Sequence, residues 1–372
     1  MQKRLVLIGG GHAHMTTLAS LARFRAMGHQ VTVIGPSPYH YYSGMGPGML
    51  AGTYRPEEIR FATRRVVERQ GAVFVLGTAV RIDPVAKLVH LAAGGTVPYD
   101  VLSCNAGSVV PRSLPGAATF PDLFAVKPIE RLIDARQRLL DLAAAGRTLR
   151  VAVVGGGPSA VEVAGNAWRL LHDAGIAAPA ITIFAGRELM ARLPEPVRQR
   201  ARRSLTRRGI RINEPARVRG LRPGAVVLDT GAEQGADFVF LALGINPSPL
   251  FADSGLPVGP DGGLLVNAFL QCPSYPEIFG GGDCIHFVPQ PLDKVGVYAV
   301  RQNPVLRRNL LAALEGAPLQ SFDPGGDYLL IYNLGDGTGI LRRRRLIFGG
   351  RPAFWLKDYI DRRFMRRFQA LE

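Results

Sequence analysis

The sequence is short of cysteine and lysine and has no long apolar run, and each shortage excludes something. Three cysteines, Cys104, Cys272 and Cys284, stand among 372 residues. They form no Cys-x-x-Cys and no close pair, so neither a disulfide framework nor a cysteine-bound metal is expected. No uninterrupted apolar stretch of about 18 residues occurs, so no membrane-spanning helix is expected. Met1-Gln2-Lys3-Arg4 leads straight into an apolar strand with no small-residue cleavage site, which reads as fold rather than signal peptide. A reducing, cytoplasmic setting fits these shortages.

Only five of the 45 basic residues are lysine, and 29 acidic residues leave a formal net charge of +16. Solvated arginine-rich helices and an anionic membrane surface are both compatible with that balance. No nucleic-acid-binding motif accompanies the charge, so no nucleic-acid partner is expected. With 47% hydrophobic residues, the chain is long enough for two domains or three.

What the chain does have is glycine at two telling places. Gly9-Gly10-Gly11-His12-Ala13-His14 follows the apolar Leu5–Ile8, and Gly155-Gly156-Gly157-Pro158-Ser159-Ala160 follows Val151–Val154. Each turn opens a helix-like stretch. Glycine there lets the backbone turn tightly and approach a pyrophosphate seated on the helix N-terminus. Two such turns predict two dinucleotides facing each other, as a redox relay requires.

Around the first turn the pattern predicts a helix over roughly His12–Met27 and a strand Val31–Ile34. Pro36–Tyr54 reads as a Gly/Pro/Tyr-rich loop of functional length. A helix is expected over Glu57–Gln70, with short strands near Val73–Leu76, Ala79–Ile82, Lys87–Leu91 and Val101–Asn105. A mostly helical crossover over 120–147 leads to the second turn. Helix Pro158–His172, strand Ile181–Phe184, a basic helix Pro196–Arg208 and strand Asp237–Leu243 follow it. A helix over 294–315 precedes a tail with two strand-like stretches around Arg342–Arg345 and a final helix. The two dinucleotide units are the one internal repeat.

Two glycine turns, two strand ends of the type Asn105-Ala106-Gly107 and Ala242-Leu243-Gly244, and a late Gly282-Asp283 resemble the two-dinucleotide flavoproteins, the FAD-dependent pyridine nucleotide-disulfide oxidoreductase superfamily. The resemblance implies an α/β fold of two Rossmann-like domains with a C-terminal α+β segment. It places a discontinuous FAD domain at 1–118 and 245–318, an inserted NAD(P)H domain at 119–244 and the C-terminal segment at 319–372. It assigns FAD contacts to Gly9, Gly11, His12, Ala13, His14, Gly35, Ser43, Gly44, Val80, Ala106, Gly107, Gly282, Asp283 and Gly296. Nicotinamide-nucleotide contacts fall to Gly155, Gly157, Pro158, Ser159, Ala160, Arg187 and Gly244.

Within the superfamily, disulfide reductases need an early cysteine pair and sulfide:quinone reductases need reactive cysteines. Cys104 and Cys284 read instead as buried structural thiols. Val163-Ala164-Gly165 after Glu162 resembles type II NADH dehydrogenases, as does the loop from Tyr39 to Gly52, which falls where that group covers the flavin. The Gly9-Gly10-Gly11-His12-Ala13-His14 start, Tyr42-Ser43-Gly44-Met45-x-Pro47-Gly48, Gly296-Val297-Tyr298-Ala299-Val300-Arg301-Gln302 and Trp355-x-Lys-Asp-x-Ile-Asp-Arg-Arg-Phe-Met365 together most closely resemble the oxidoreductase found alone or fused ahead of selenophosphate synthetase. No second catalytic domain follows, as expected of a free-standing member.

The departures are informative. His14 stands where glycine or alanine is usual, and reads as packing. Gly35 replaces the usual ribose-binding acid, leaving backbone groups or Ser37 for that contact. Ala185-Gly186-Arg187 replaces the acid that selects NAD, and an arginine there can pair with a 2′-phosphate, which hints at NADPH over NADH. Glu162, read as first-turn, and Gln302 are the catalytic candidates, Glu162 to orient the nicotinamide or simply to favour the helix dipole. Lys127 reads as structural. In the final helix Leu356, Ile360, Phe364, Phe368 and Leu371 form an apolar stripe flanked by Lys357, Arg363 and Arg367. That stripe suits an anionic membrane, the protein's own body or a homodimer contact. The expected activity is transfer from NAD(P)H through FAD to a quinone-type acceptor, peripheral to the cytoplasmic face of the inner membrane. The alternatives are a sulfur- or selenium-handling flavoprotein and a non-catalytic redox sensor.

Overall fold

The computed structural model describes residues 1–111, 113–146 and 148–372. Five parallel strands form one sheet in the order Ile278–Gly280, Val101–Cys104, Arg4–Ile8, Gln30–Gly35, Val73–Leu76. Its central strands are continuous apolar runs such as Leu5-Val6-Leu7-Ile8, buried as a helix-covered parallel sheet requires. A second parallel sheet runs Leu123–Ala125, Phe238–Leu241, Arg150–Val154, Ala180–Phe184, Arg211–Asn213. Ile278–Gly280 returns to the first sheet after the whole of the second, so the second unit is inserted in the first. The expected α/β class with two Rossmann-like sheets is borne out.

The two units share one anchoring contact in all its bonds. Arg4 N donates to Asp100 Oδ2 at 2.7 Å, and its guanidinium holds the same carboxylate at 3.0 and 2.8 Å. Arg150 does the same to Asp237 at 2.9, 2.9 and 2.6 Å. Each arginine starts the strand that carries a glycine turn, and each aspartate precedes the strand beside it. Short strands Ser108–Val109 and Asn246–Pro247 pair antiparallel, so the two passages between the units run side by side.

The tail adds an antiparallel meander, Leu330–Asn333, Gly339–Arg343 and Leu346–Gly350, and then helix Arg351–Gln369. Its first hairpin enters against helix Pro158–Asp173. A Cβ on Gly165 would overlap Leu334 O, and one on Gly335, at φ +81°, would overlap the Gly165 carbonyl. Two glycines thus let the two backbones touch.

Several elements differ from the sequence expectation. The helix expected over His12–Met27 is broken into a 3-10 turn His12–His14 and helices Met15–Leu18 and Leu21–Ala26. Ser20 causes the break: its hydroxyl donates to Thr16 O at 2.8 Å and competes for the backbone acceptors. The stretch Pro36–Tyr54 is not an open loop. It holds strand His40–Tyr41, a 3-10 turn Ser43–Met45 and helix Gly46–Ala51. Pro47 suits the first turn of that helix, and Gly52 at φ +83° ends it.

Glu57–Gln70 divides into a 3-10 turn Pro56–Ile59, strand Arg60–Phe61 and helix Thr63–Arg69, because the strand pairs with His40–Tyr41. The crossover begins with strand Leu123–Ala125 before helix Arg131–Ala144, and Arg147 at its expected end lies outside the described residues. The tail has three strands rather than two. Arg344 and Arg345 form the turn between the last two, with Arg344 at φ +53°.

Candidate functional site

Each glycine turn sits against the strand end that the sequence pairs with it. Gly9 N donates to Ile34 O at 2.8 Å, and Gly155 N to Phe184 O at 3.0 Å. Gly9 is at φ +84° and Gly155 at φ +137°. A Cβ on Gly9 would overlap Asn105 O, and one on Gly155 would overlap Ala242 O. Only glycine fits either place. Ala13 and Ala160 are fully buried behind the turns. Gly157 caps helix Pro158–Asp173 with open space before it, Pro158 takes the first helical position, and Ser159 is exposed beside it.

His14 is fully buried, and both its ring nitrogens are engaged, Nδ1 with Gly9 O at 2.6 Å and Nε2 with Ser103 Oγ at 2.8 Å. It fixes the first turn from behind. His12 points elsewhere. It stacks on Phe364 at 5.6 Å and meets Tyr42 at 5.1 Å and His40 at 5.3 Å. Burial pushes His12 down to about 4 and His40 to about 3, so both rings are neutral at pH 7.

Asn105, which the sequence reading passed over, lies between two turns. A Cβ on Gly11 would come 2.7 Å from its Nδ2, and one on Gly282 would come 2.7 Å from its Oδ1. The buried atoms His12 Nε2, His40 Nε2 and Asn105 Nδ2 have no partner among the described residues. Buried polar groups without protein partners are open to a ligand's donors and acceptors; His12 belongs to the Gly9–His14 turn, Asn105 Nδ2 faces Gly11 in it, and His40 packs against His12. The residues fit a flavin dinucleotide there.

The remaining candidates are placed as follows. Gly35 ends strand Gln30–Gly35, tight against Phe74, and Ser37 Oγ accepts from Tyr39 N at 3.1 Å. Ser43 opens the 3-10 turn whose Gly44 O accepts from Lys357 Nζ at 2.7 Å. Val80 is half-exposed at a register irregularity between Ala79 and Arg81, where a bulge can re-aim a side chain. Ala106 and Gly107, the latter at φ +70°, lead from Asn105 into the linking strand. Gly282, at φ +78°, donates its N–H to Gln302 Oε1 at 2.7 Å. Gly296 starts the 20-residue helix Gly296–Glu315, with open space at its Cα.

Asp283 accepts bonds from Lys127 and Ser108. Burial would raise its pKa, but these partners hold it below the usual range. Gly244, at φ +93°, follows the Ala242 strand end. Arg187 is exposed in the loop after Ala180–Phe184, with no ion pair or hydrogen bond to the described residues.

Glu162 is the fifth residue of its helix, one turn later than expected. Its Oε1 accepts from Asn333 N at 2.8 Å in the tail meander. Burial raises its pKa to about 7, against the pull of Lys357 and the Asn333 N–H. Lys357 and Asp361 of the C-terminal helix form a buried ion pair, and Asp361 Oδ1 accepts from Tyr42 OH at 2.9 Å. Lys357, Asp361 and Tyr42 are thus linked by an ion pair and a hydrogen bond, with Glu162 within electrostatic reach of Lys357 and Asp361 and the His12 ring packed against Tyr42. Sequence reasoning treated Lys357 as a flanking, solvated charge. The i,i+4 spacing with Asp361 is the signal that could have found the pair.

The expected apolar stripe is therefore divided. Phe368 is buried and Phe364 half-buried in the protein, while Trp355, Leu356, Tyr359 and Ile360 are exposed. All three cysteines are buried, and burial pushes their thiols up, Cys284 to about 11. A cavity of about 460 Å³ between Tyr39 and Arg60, Arg64, Arg65 and Arg69 includes neither glycine turn in its lining. Among the described residues no helix is long and apolar enough to cross a membrane, and no cluster could hold a metal.

A sequence profile described as pyridine nucleotide-disulphide oxidoreductase matches residues 3–302, both turns included. The chain belongs to this family. FAD and NADH or NADPH are its cofactors, and it is an oxidoreductase.

Among curated relatives, Ferroptosis suppressor protein 1 of Taeniopygia guttata is 28% identical over 90% of this chain and 88% of its own. Demethylphylloquinone reductase NdbB of Synechocystis is 26% identical over 95% and 93%. A Type II NADH:quinone oxidoreductase of Staphylococcus saprophyticus is 25% identical over 97% and 95%. Among solved structures, NDH2 of Plasmodium falciparum in complex with NADH superimposes with TM-score 0.83 at 14% identity, covering 100% of this chain and 97% of that one. The sulfide:quinone oxidoreductase of Aquifex aeolicus does so at 0.81 and 19%, covering 100% and 92%. These two share the fold.

Proposed function

We propose that this chain passes electrons from NAD(P)H through FAD to a quinone. The observation that carries it is the pair of equivalent glycine turns, one at the end of a central strand in each parallel sheet. The names of the relatives, a demethylphylloquinone reductase and a NADH:quinone oxidoreductase, support the acceptor class. FAD held at the Gly9–His14 turn would supply the hydride-accepting and electron-donating chemistry.

The protein's part is holding and proton handling. Gly9–Ala13 hold the flavin's pyrophosphate, and Gly155–Ala160 hold that of the nicotinamide nucleotide. Gln302 spends its Oε1 on Gly282, which leaves its amide N–H₂ for the cofactor. Helix Gly296–Glu315 presents the positive end of its dipole beside Gly282. Glu162 has one oxygen on Asn333 N, so Oε2 is the atom that carries its proton. Burial raises its pKa to about 7, which suits a group that takes up or gives a proton near neutral pH.

The sulfur- or selenium-handling reading needs a reactive thiol, which three buried, pKa-raised cysteines do not offer. The likeness to the oxidoreductase found alone or fused ahead of selenophosphate synthetase includes the 296–302 and 355–365 motifs. The second of these contains Lys357, Asp361 and Phe364. Membrane docking is part of the same reading. Trp355 and Tyr359 are 63% and 56% exposed, beside exposed Arg363, Arg366 and Arg367, which suits the cytoplasmic face of an anionic bilayer where a lipid quinone enters. A homodimer is the other use of that face. Anaerobic reduction by NADH and NADPH, followed by mixing with quinone, tests the proposal.

A further inference from the structure

One carboxylate oxygen is the meeting point of three parts of the molecule. Asp283 Oδ2 accepts from Lys127 Nζ at 2.8 Å and from Ser108 Oγ at 2.9 Å. Lys127 Nζ also donates to Ser108 Oγ at 3.2 Å. Asp283 follows the last strand of the first sheet. Ser108 lies on the strand that links the units. Lys127 stands two residues past Leu123–Ala125 of the second sheet. The two charged side chains are only 25% and 15% exposed.

Lys294 lines the same recess as Asp283 but is engaged by Asp261 and Ile285 O, so it does not bond Asp283. His12 and His40 lie within electrostatic reach of Lys127, and both are neutral. Tyr42 is held protonated by burial and by Asp361. Lys127 is therefore the cation that balances Asp283 beside the flavin turn. The sequence reading of this lysine as structural leaves that balance out.

The geometry points to Lys127 as a positioning residue that ties the nicotinamide-binding unit to the flavin-binding Asp283 and keeps that carboxylate's charge from opposing flavin reduction. This rests on FAD binding at the Gly9–Ala13 turn and is independent of which acceptor is used. Without the ammonium, a poorly solvated negative charge would be left at Asp283, beside the turn that would hold the flavin. The flavin then becomes harder to reduce and more weakly held.

The test uses the purified holoprotein with Lys127→Met, Lys127→Arg and the double variant Lys127→Met/Asp283→Asn. Two quantities are read, the flavin midpoint potential by spectroelectrochemical titration and the rate of FAD release by fluorescence. Lys127→Met is expected to shift the midpoint to more negative potential and to release FAD about tenfold faster, an order of magnitude for losing one partner of a part-buried pair. Lys127→Arg keeps both values near wild type, and the double variant recovers the midpoint. An unchanged midpoint and release rate in Lys127→Met overturn the inference. So does a Lys127→Arg variant as impaired as Lys127→Met. If Lys127→Met is isolated without flavin, Lys127→Arg decides: retained flavin at the wild-type midpoint supports the inference, and lost flavin overturns it. Failure of quinone turnover with these readouts intact would count against the acceptor proposal alone.

Discussion

Lys357 and Asp361, one turn apart on the C-terminal helix, form an ion pair whose side chains are 9% and 6% exposed. Lys357 also donates to Gly44 O, and Asp361 accepts from Tyr42 OH, so the pair pins the final helix to the segment covering the first turn. Replacing Lys357 with Met leaves Asp361 charged in a dry place. The expected loss is about 3–5 kcal/mol of unfolding free energy. Lys357→Met/Asp361→Asn should lose less than Lys357→Met. Urea denaturation of both variants measures this, and an unchanged midpoint for Lys357→Met would contradict it.

Glu162 predicts a pH effect of definite sign. Its pKa is about 7 in the folded chain against an ordinary 4.5. The folded state therefore binds this proton more tightly than the unfolded chain does. Its contribution to stability is fully present below pH 4.5, declines as pH rises, and is lost above about 7. Glu162→Gln should flatten this part of the stability profile and make the variant relatively more stable at pH 8. In turnover, the limb with an apparent pKa near 7 should disappear. A pH–rate profile of Glu162→Gln that keeps that limb would reject the assignment.

Arg187 is exposed and unpaired among the described residues, in the loop where a 2′-phosphate would lie. Arg187→Ala should lower kcat/KM for NADPH about tenfold while leaving NADH within about twofold, a magnitude ordinary for one charge-assisted hydrogen bond. Steady-state kinetics with both nucleotides decides. Equal loss with NADH and NADPH removes the selectivity role.

The two glycine turns can be separated by substitution. Gly155→Ala forces a Cβ onto Ala242 O in a backbone region that disfavours side chains. The protein should purify yellow, yet its flavin should no longer be reduced by NAD(P)H. Gly9→Ala, which meets Asn105 O, should purify without flavin. A Gly155→Ala protein that is colourless while Gly9→Ala is yellow would reverse the assignment of the turns.

Trp355→Asp/Tyr359→Asp places charge on the exposed face of the C-terminal helix. Co-sedimentation with vesicles rich in anionic lipid should fall severalfold, with turnover of a soluble quinone retained. Binding unchanged by the substitution would move the docking surface elsewhere or dismiss it.

Legibility in the sequence followed physical demand. Gly9 and Gly155 were readable because their backbone angles and their contact with a neighbouring carbonyl admit no other residue. The strands beside them were readable because sheets buried on both faces need unbroken apolar runs. Lys357, Asp361 and Glu162 were harder. On an amphipathic helix a buried charged pair looks like a solvated one until its partners arrive from Gly44, Tyr42 and Asn333, each distant in sequence. The Pro36–Tyr54 stretch looked like an open loop because Gly and Pro dominate it. Its order comes from burying Met45, Met49 and Leu50, and from a strand partner in Arg60–Phe61. Asn105 was passed over because a strand-end asparagine gains meaning only once Gly11 and Gly282 are known to flank it.

The central claim is a relay from nicotinamide through flavin to quinone. Anaerobic stopped-flow spectroscopy of the yellow protein tests it most directly. Mixing with NADPH or NADH should bleach the flavin absorbance, and a second mixing with a soluble quinone should restore it. Alkylation of the protein's thiols should change neither phase. A flavin that neither nucleotide bleaches, or that bleaches and is not restored by quinone, would contradict the account.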